Sequence, residues 1–133
     1  MESITIRYLG PKDAEEYVRL RLQALQESPE SFLATYEETI ADENLIQTYE
    51  HRLKDGPDHF TLGAFDGGLL VSVATLVRQN RAKIRHKAEI FAVYTAPCNR
   101  RKGISRRILK ELIANAREMP GLEKIMLTAV TEN

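Results

Sequence analysis

Pro97-Cys98-Asn99-Arg100-Arg101-Lys102-Gly103-Ile104-Ser105-Arg106-Arg107-Ile108-Leu109, with the β-prone run from Glu89 to Thr95 that feeds it, decides the reading of this chain. One proline turn separates a strand pattern from a basic, glycine-bearing helix start. A helix beginning there aims its free first-turn N–H groups, the positive end of its dipole and a cluster of guanidinium groups at one point, which suits a phosphate-bearing ligand. Gly103 has no Cβ, so backbone can come close to phosphate oxygens. Ile104, Ile108 and Leu112 recur every four residues and supply a buried stripe on the other face of the helix. The chain contains neither G-x-G-x-x-G nor G-K-[ST], which sets aside the Rossmann and Walker phosphate loops.

Working outward, Ile4 to Leu9 alternates as a first strand and stops at Gly10-Pro11. Asp13 offers a cap for a helix whose apolar face is Tyr17, Val18, Leu20, Leu22 and Leu25, ended by Ser28-Pro29. Ser31 to Thr39 reads as a loop or short helical turn, and Ala41 to Lys54 as a second helix closed by Asp55-Gly56-Pro57. From His59 the pattern becomes β-like: Phe60, Leu62 and Ala64, then a hairpin signal at Asp66-Gly67-Gly68, then Leu69 to Val77, then a third strand of this meander from Arg85 to Thr95. The helix after Pro97 is predicted to run to about Glu118, and Lys124 to Val130 forms a last strand, parallel to Glu89–Thr95 because a helix crosses between them. The expected fold is α/β (α+β), one domain spanning residues 1–133, in the order β-α-α-β-β-β-α-β.

Composition narrows the function classes. Nineteen basic side chains balance nineteen acidic ones, so bulk charge does not recruit nucleic acid, and no aromatic side chains interleave the basic run as base-stacking platforms would. Cys98 is the only cysteine, which excludes an intramolecular disulfide and suits a reducing compartment. His51, His59 and His86 lack metal-ligand spacing, so no metal is expected. No run reaches transmembrane length and the first residues lack a leader pattern, so the expectation is a cytoplasmic protein with no membrane and no nucleic-acid partner.

Arg100-Arg101-Lys102-Gly103-Ile104-Ser105 resembles the [RQ]-x-x-G-x-[GA] acetyl-coenzyme A signature of the GCN5-related N-acetyltransferase (GNAT) family, with Ser105 in place of Gly or Ala. The element order is also that of the family as far as its fifth strand; family members continue past an Asn, matched by Asn133, into a helix carrying a Tyr and two more strands. The resemblance implies an acetyl-CoA-dependent N-acetyltransferase acting on a primary amine of a small molecule or peptide, with acetyl-CoA as co-substrate. A catalytically impaired CoA-binding remnant is the alternative, and an anion- or nucleic-acid-binding module is a third.

By the same resemblance, backbone groups of Val93, Tyr94 and Thr95 hold the pantetheine arm, and Arg100, Arg101, Lys102, Gly103, Ile104, Ser105, Arg106 and Asn133 belong to the cofactor site. Glu89 matches a strand-four glutamate that serves as general base; its bland reading is an ion pair with Arg85 or Lys87. The fifth-strand position that carries a base in other branches is Thr128 here. Phe32, Thr35, Tyr36 and Glu37 are placed to line the acceptor pocket. The family's tyrosine proton donor has no match, which leaves Tyr36, Tyr49 or water. With the last helix and strand pair lacking, the final strand is expected to be an open edge, covered by a longer chain or by a second copy in a homodimer.

Overall fold

The computed structural model describes residues 4–31, 34–54, 56 and 58–127. Its elements are β1 (Ile4–Tyr8), α1 (Ala14–Glu27), α2 (Tyr36–Ile40), α3 (Leu45–Arg52), β2 (His59–Asp66), β3 (Leu69–Arg78), β4 (Lys87–Thr95), α4 (Ile104–Ala116) and β5 (Lys124–Leu127). They form one five-stranded sheet in the order β1-β2-β3-β4-β5. β1 to β4 pair antiparallel, and β5 joins β4 in parallel from Lys87–Lys124 to Ile90–Leu127. This is the mostly antiparallel mixed sheet with flanking helices expected from the sequence.

Two local differences have physical reasons. Thr35 caps a separate helix, α2: its hydroxyl accepts from the Glu38 N–H at 3.0 Å while the Glu38 carboxylate accepts from the Thr35 N–H at 3.1 Å, a reciprocal capping box. Asp42 then breaks the predicted Ala41–Lys54 helix. Its carboxylate accepts from the Asn44 N–H at 2.9 Å and from the Thr48 hydroxyl at 2.7 Å, a local competitor to helical pairing that delays α3 to Leu45.

A core lies on each face of the sheet. Leu9, Tyr17, Val18, Leu20, Tyr49 and Phe65 meet Val73 and Tyr94 on the α1–α3 side, while Ile104, Ile108, Leu112 and Ala116 of α4 pack on Leu62, Ala74, Leu76, Ala88 and Ile90 on the other. The four-residue stripe read from the sequence is therefore the buried face of α4. On β5, Met126 and Leu127 are exposed at 52% and 60%. No helix among the described residues is long and apolar enough to cross a membrane.

β4 carries the irregularity that positions the site. Tyr94 pairs with Val73 and Phe91 with Thr75, so Ala92 and Val93 together oppose Ala74. That is a bulge, and Ala92 adopts φ +58° to make it. Ala88 and Ile90 face α4; without the extra residue Tyr94, of the same parity, would face it too. With it, Tyr94 joins the core beneath α1.

Candidate active site

β4 ends at Thr95, a proline turn follows, and α4 begins after Gly103. The turn needs two left-handed residues: Arg101 at φ +64° and Gly103 at φ +76°. Only at Gly103 is that conformation free of cost. Gly103 is the N-cap residue, and no side chain caps the helix. The first intrahelical bond runs from the Arg107 N–H to the Gly103 carbonyl at 3.0 Å, which leaves the N–H groups of Ile104, Ser105 and Arg106 without a helical acceptor. Ile104 is buried and pins the first turn, whereas Arg101, Lys102, Gly103 and Arg106 are exposed. Among the described residues none of Arg101, Lys102 and Arg106 has an ion-pair partner. Donors, dipole and cations thus converge on one exposed spot with no acidic residue in the first turn.

Ser105 is tied to the sheet by a chain of hydroxyls. Its Oγ is in close contact with Thr95 Oγ1, which lies 2.7 Å from Ser72 Oγ on β3. Ser72 is 1% exposed and Thr95 7%, and among the described residues these are the only side-chain hydrogen bonds of the three. A buried hydroxyl proton with no acceptor is costly. One proton order leaves none buried and unused: Ser72 donates to Thr95, and Thr95 to Ser105. The Ser105 proton is then left for solvent or a ligand, so this serine adds a donor to the three N–H groups.

Arg100 is engaged differently from its neighbours. Its Nε donates to the Thr95 carbonyl at 2.8 Å, and its two terminal nitrogens donate to Glu27 at the end of α1 at 2.9 and 3.2 Å. Tyr94 donates its hydroxyl to the same carboxylate at 3.0 Å. Burial pushes the Tyr94 phenol up to about 12, with the Glu27 hydrogen bond adding to it. A proton held that tightly is a poor one to lend to a departing thiolate.

Glu89 is half-buried, opposite Val77 on β3 and Met126 on β5. Strand alternation puts it on the face opposite Ala88 and Ile90, the side of α1 and of Tyr94. Arg85, the partner considered for it from sequence, instead forks onto Asp58 with two bonds of 2.9 Å. At the bulge itself a cavity of about 10 Å³, room for about one water, is lined by Tyr17, Arg21, Ala24, Val73, Ala92 and Tyr94.

On the acceptor side the predicted residues are less concentrated. Thr35 is occupied as the cap of α2, Tyr36 is half-buried, and Glu37 is exposed in the first turn. Tyr49 is packed at 5.6 Å from the Tyr17 ring under Arg52, within the core. Phe32, Thr128 and Asn133 lie outside the described residues. A larger open cleft of about 390 Å³, with Arg7, Lys12, Asp13, Glu15 and Glu16 among its walls, sits at the β1 edge of the sheet, away from β4 and α4.

Comparison with known proteins accords with this geometry. A family model described as "Acetyltransferase (GNAT) family" matches residues 14–133. The chain belongs to that family of N-acetyltransferases, which use acetyl-CoA. Comparison with curated protein sequences gave no match. Among solved structures it is similar to a GNAT-family acetyltransferase from Streptococcus pneumoniae, with 24% identity and TM-score 0.75 over 98% of this chain and 76% of that one. It is also similar to the ribosomal-protein-alanine N-acetyltransferase of Brucella melitensis, at 22% identity and TM-score 0.69 over 96% and 80% of the two chains. A third is the glucosamine-6-phosphate N-acetyltransferase of Arabidopsis thaliana, at 18% identity and TM-score 0.71 over 98% and 84%.

Sequence reasoning located the α4 loop because its signal is local. It missed the Ala92 bulge, the Ser72 link and Glu27, each defined by a partner on another strand or helix.

Proposed function

We propose that this chain transfers the acetyl group of acetyl-CoA to a primary amine of a small molecule or peptide. The observation that carries the reading is the α4 entrance: three N–H groups, the Ser105 hydroxyl and three free cations around a glycine whose missing Cβ faces open space, with no atom beyond the adjoining backbone within 4 Å of where it would stand. That cradle fits a pyrophosphate. Arg101 to Arg106 would hold it, and the backbone of Val93, Tyr94 and Thr95 beyond the bulge would hold the pantetheine arm. Part of that backbone is spoken for, since the Thr95 carbonyl accepts from Arg100, so the arm falls chiefly to Val93 and Tyr94.

The thioester supplies an activated acyl carbon when bound. The protein's task is the proton: an alkylammonium with an ordinary pKa of about 10.4 is nucleophilic in only about one molecule per thousand at neutral pH. Glu89 accepts that proton directly or through a water. Tyr94 does not return one to the departing sulfur, because its proton belongs to Glu27; water or Tyr36 takes that part. The relatives named above act on a ribosomal-protein alanine and on glucosamine 6-phosphate, so the amine class is common ground and the particular acceptor is left to assay.

A thermal-shift series with acetyl-CoA, ADP and a DNA oligomer tests the ligand, since specific binding stabilises by mass action. Stabilisation by acetyl-CoA alone supports the reading, and equal stabilisation by DNA contradicts it. Thiol release across an amine panel then tests turnover; binding without release makes the chain a CoA-binding remnant.

A further inference from the structure

A carboxylate is poorly placed as the last residue of a helix, where the negative end of the helix dipole faces it. α1 nevertheless ends on Glu27, with no basic residue in its last turn. The compensation comes from 67 and 73 residues downstream, in the Tyr94 hydroxyl and the forked Arg100 guanidinium. Arg100 in turn holds the Thr95 carbonyl and lies 5.5 Å from the centre of the Tyr94 ring. Arg100, and secondarily Tyr94, keep the Glu27 carboxyl below its usual range against an opposing effect of burial. Tyr94 reaches Glu27 only because the bulge at Ala92 and Val93 turns it toward α1.

One side chain therefore joins three parts of the site: the end of β4, the first residue of the signature loop, and the end of α1. We propose that Glu27 is a positioning residue for the coenzyme A site, holding Tyr94 and Arg100 so that Arg100 serves as a strut of the loop and not as a phosphate ligand. The proposal rests on the acetyltransferase reading. A local choice that disfavours the helix is kept where distant partners offset it, the pattern expected of a residue retained for a site.

The test is calorimetric titration of the full chain with coenzyme A. In Glu27→Gln an amide NH₂ faces the guanidinium donors, so Arg100 loses one of its two contacts with residue 27 and Tyr94 its charged acceptor. The two side chains are 40% and 34% exposed, which limits the expected loss of affinity to about five-fold. Arg100→Ala should lose a similar factor, and the double variant no more than the weaker single one, because the two residues act as a unit. In turnover the change should fall on KM for acetyl-CoA, with kcat within about two-fold of the parent. Tyr94→Phe keeps the ring packing and repeats the test should Glu27→Gln fail to fold; about two- to five-fold weaker binding is expected from the lost hydroxyl. Tighter binding by Glu27→Gln would show that the carboxylate competes with phosphate for Arg100, and so overturn the proposal. Additive losses in the double variant would do so too, as would parental affinity in every variant. A parent chain that binds no coenzyme A sinks the acetyltransferase reading, and this role with it, before any variant is compared.

Discussion

Replacement of Gly103 separates two effects that usually arrive together, backbone strain and blocked ligand approach. At φ +76° an ordinary L-residue pays about 1–2 kcal/mol for the left-handed conformation. It pays nothing further for space, since a Cβ built there meets no atom within 4 Å beyond the adjoining backbone. For a chain of 133 residues each kcal/mol is about 3–5 °C in melting temperature, so Gly103→Val should melt about 3–10 °C below the parent and still fold. Gly103→Asn should be milder, because Asn visits the left-handed region more readily. Both place side-chain atoms where the phosphates are expected to approach. Losing even one charge-assisted contact costs about 1.5–3 kcal/mol, or about 10- to 100-fold in affinity. Melting curves without ligand and calorimetry with acetyl-CoA read the two effects apart. Gly103→Asn with both a parental melting temperature and parental affinity would refute the placement of the pyrophosphate.

Three further outcomes are expected. Ser105→Ala removes the outward donor and leaves Thr95 to find a new acceptor, so the acetyl-CoA Kd should rise by about five- to ten-fold, read by calorimetry; an unchanged Kd means the hydroxyl points elsewhere. Glu89→Gln should lower kcat by about 10²- to 10⁴-fold with cofactor affinity preserved, and a parental rate from about pH 6 to 9 would assign the proton to water or another group. Asp13 accepts from Arg7 at 2.9 and 3.0 Å and from the Gly10 N–H at 2.9 Å, and its carboxyl is held below the usual range, first by Arg7. A lowered folded-state pKa gives stability that is complete above the unfolded value of about 3.9 and is lost as pH falls through the folded one. Acid titration of the melting temperature should therefore fall less steeply below about pH 4 in Asp13→Asn than in the parent; parallel slopes would show that this pair does not carry the acid sensitivity.

What the sequence disclosed was whatever depends on neighbours along the chain. The Asp66-Gly67-Gly68 hairpin, the stripe of Ile104, Ile108 and Leu112, and the glycine at the head of a basic helix are all local patterns, and each stands where it was expected. The bulge left no such trace, because Ala92 is not a residue that advertises φ > 0 and the apolar run around it reads as an unbroken strand. Ser72 and Glu27 looked like ordinary strand and helix residues until Thr95, Tyr94 and Arg100 were brought to them. Glu27 did carry one faint mark, an acidic side chain at the wrong end of a helix. The break before α3 was legible in principle, since Asp42 can bond the Asn44 N–H and the Thr48 hydroxyl in a local turn, but the apolar spacing of Leu45, Ile46 and Tyr49 outweighed it.

Calorimetric titration of the unmodified chain with acetyl-CoA is the decisive measurement. One-to-one binding that weakens at least about ten-fold in Gly103→Val is predicted. Binding of equal strength by parent and variant, or no binding by the parent, would contradict it.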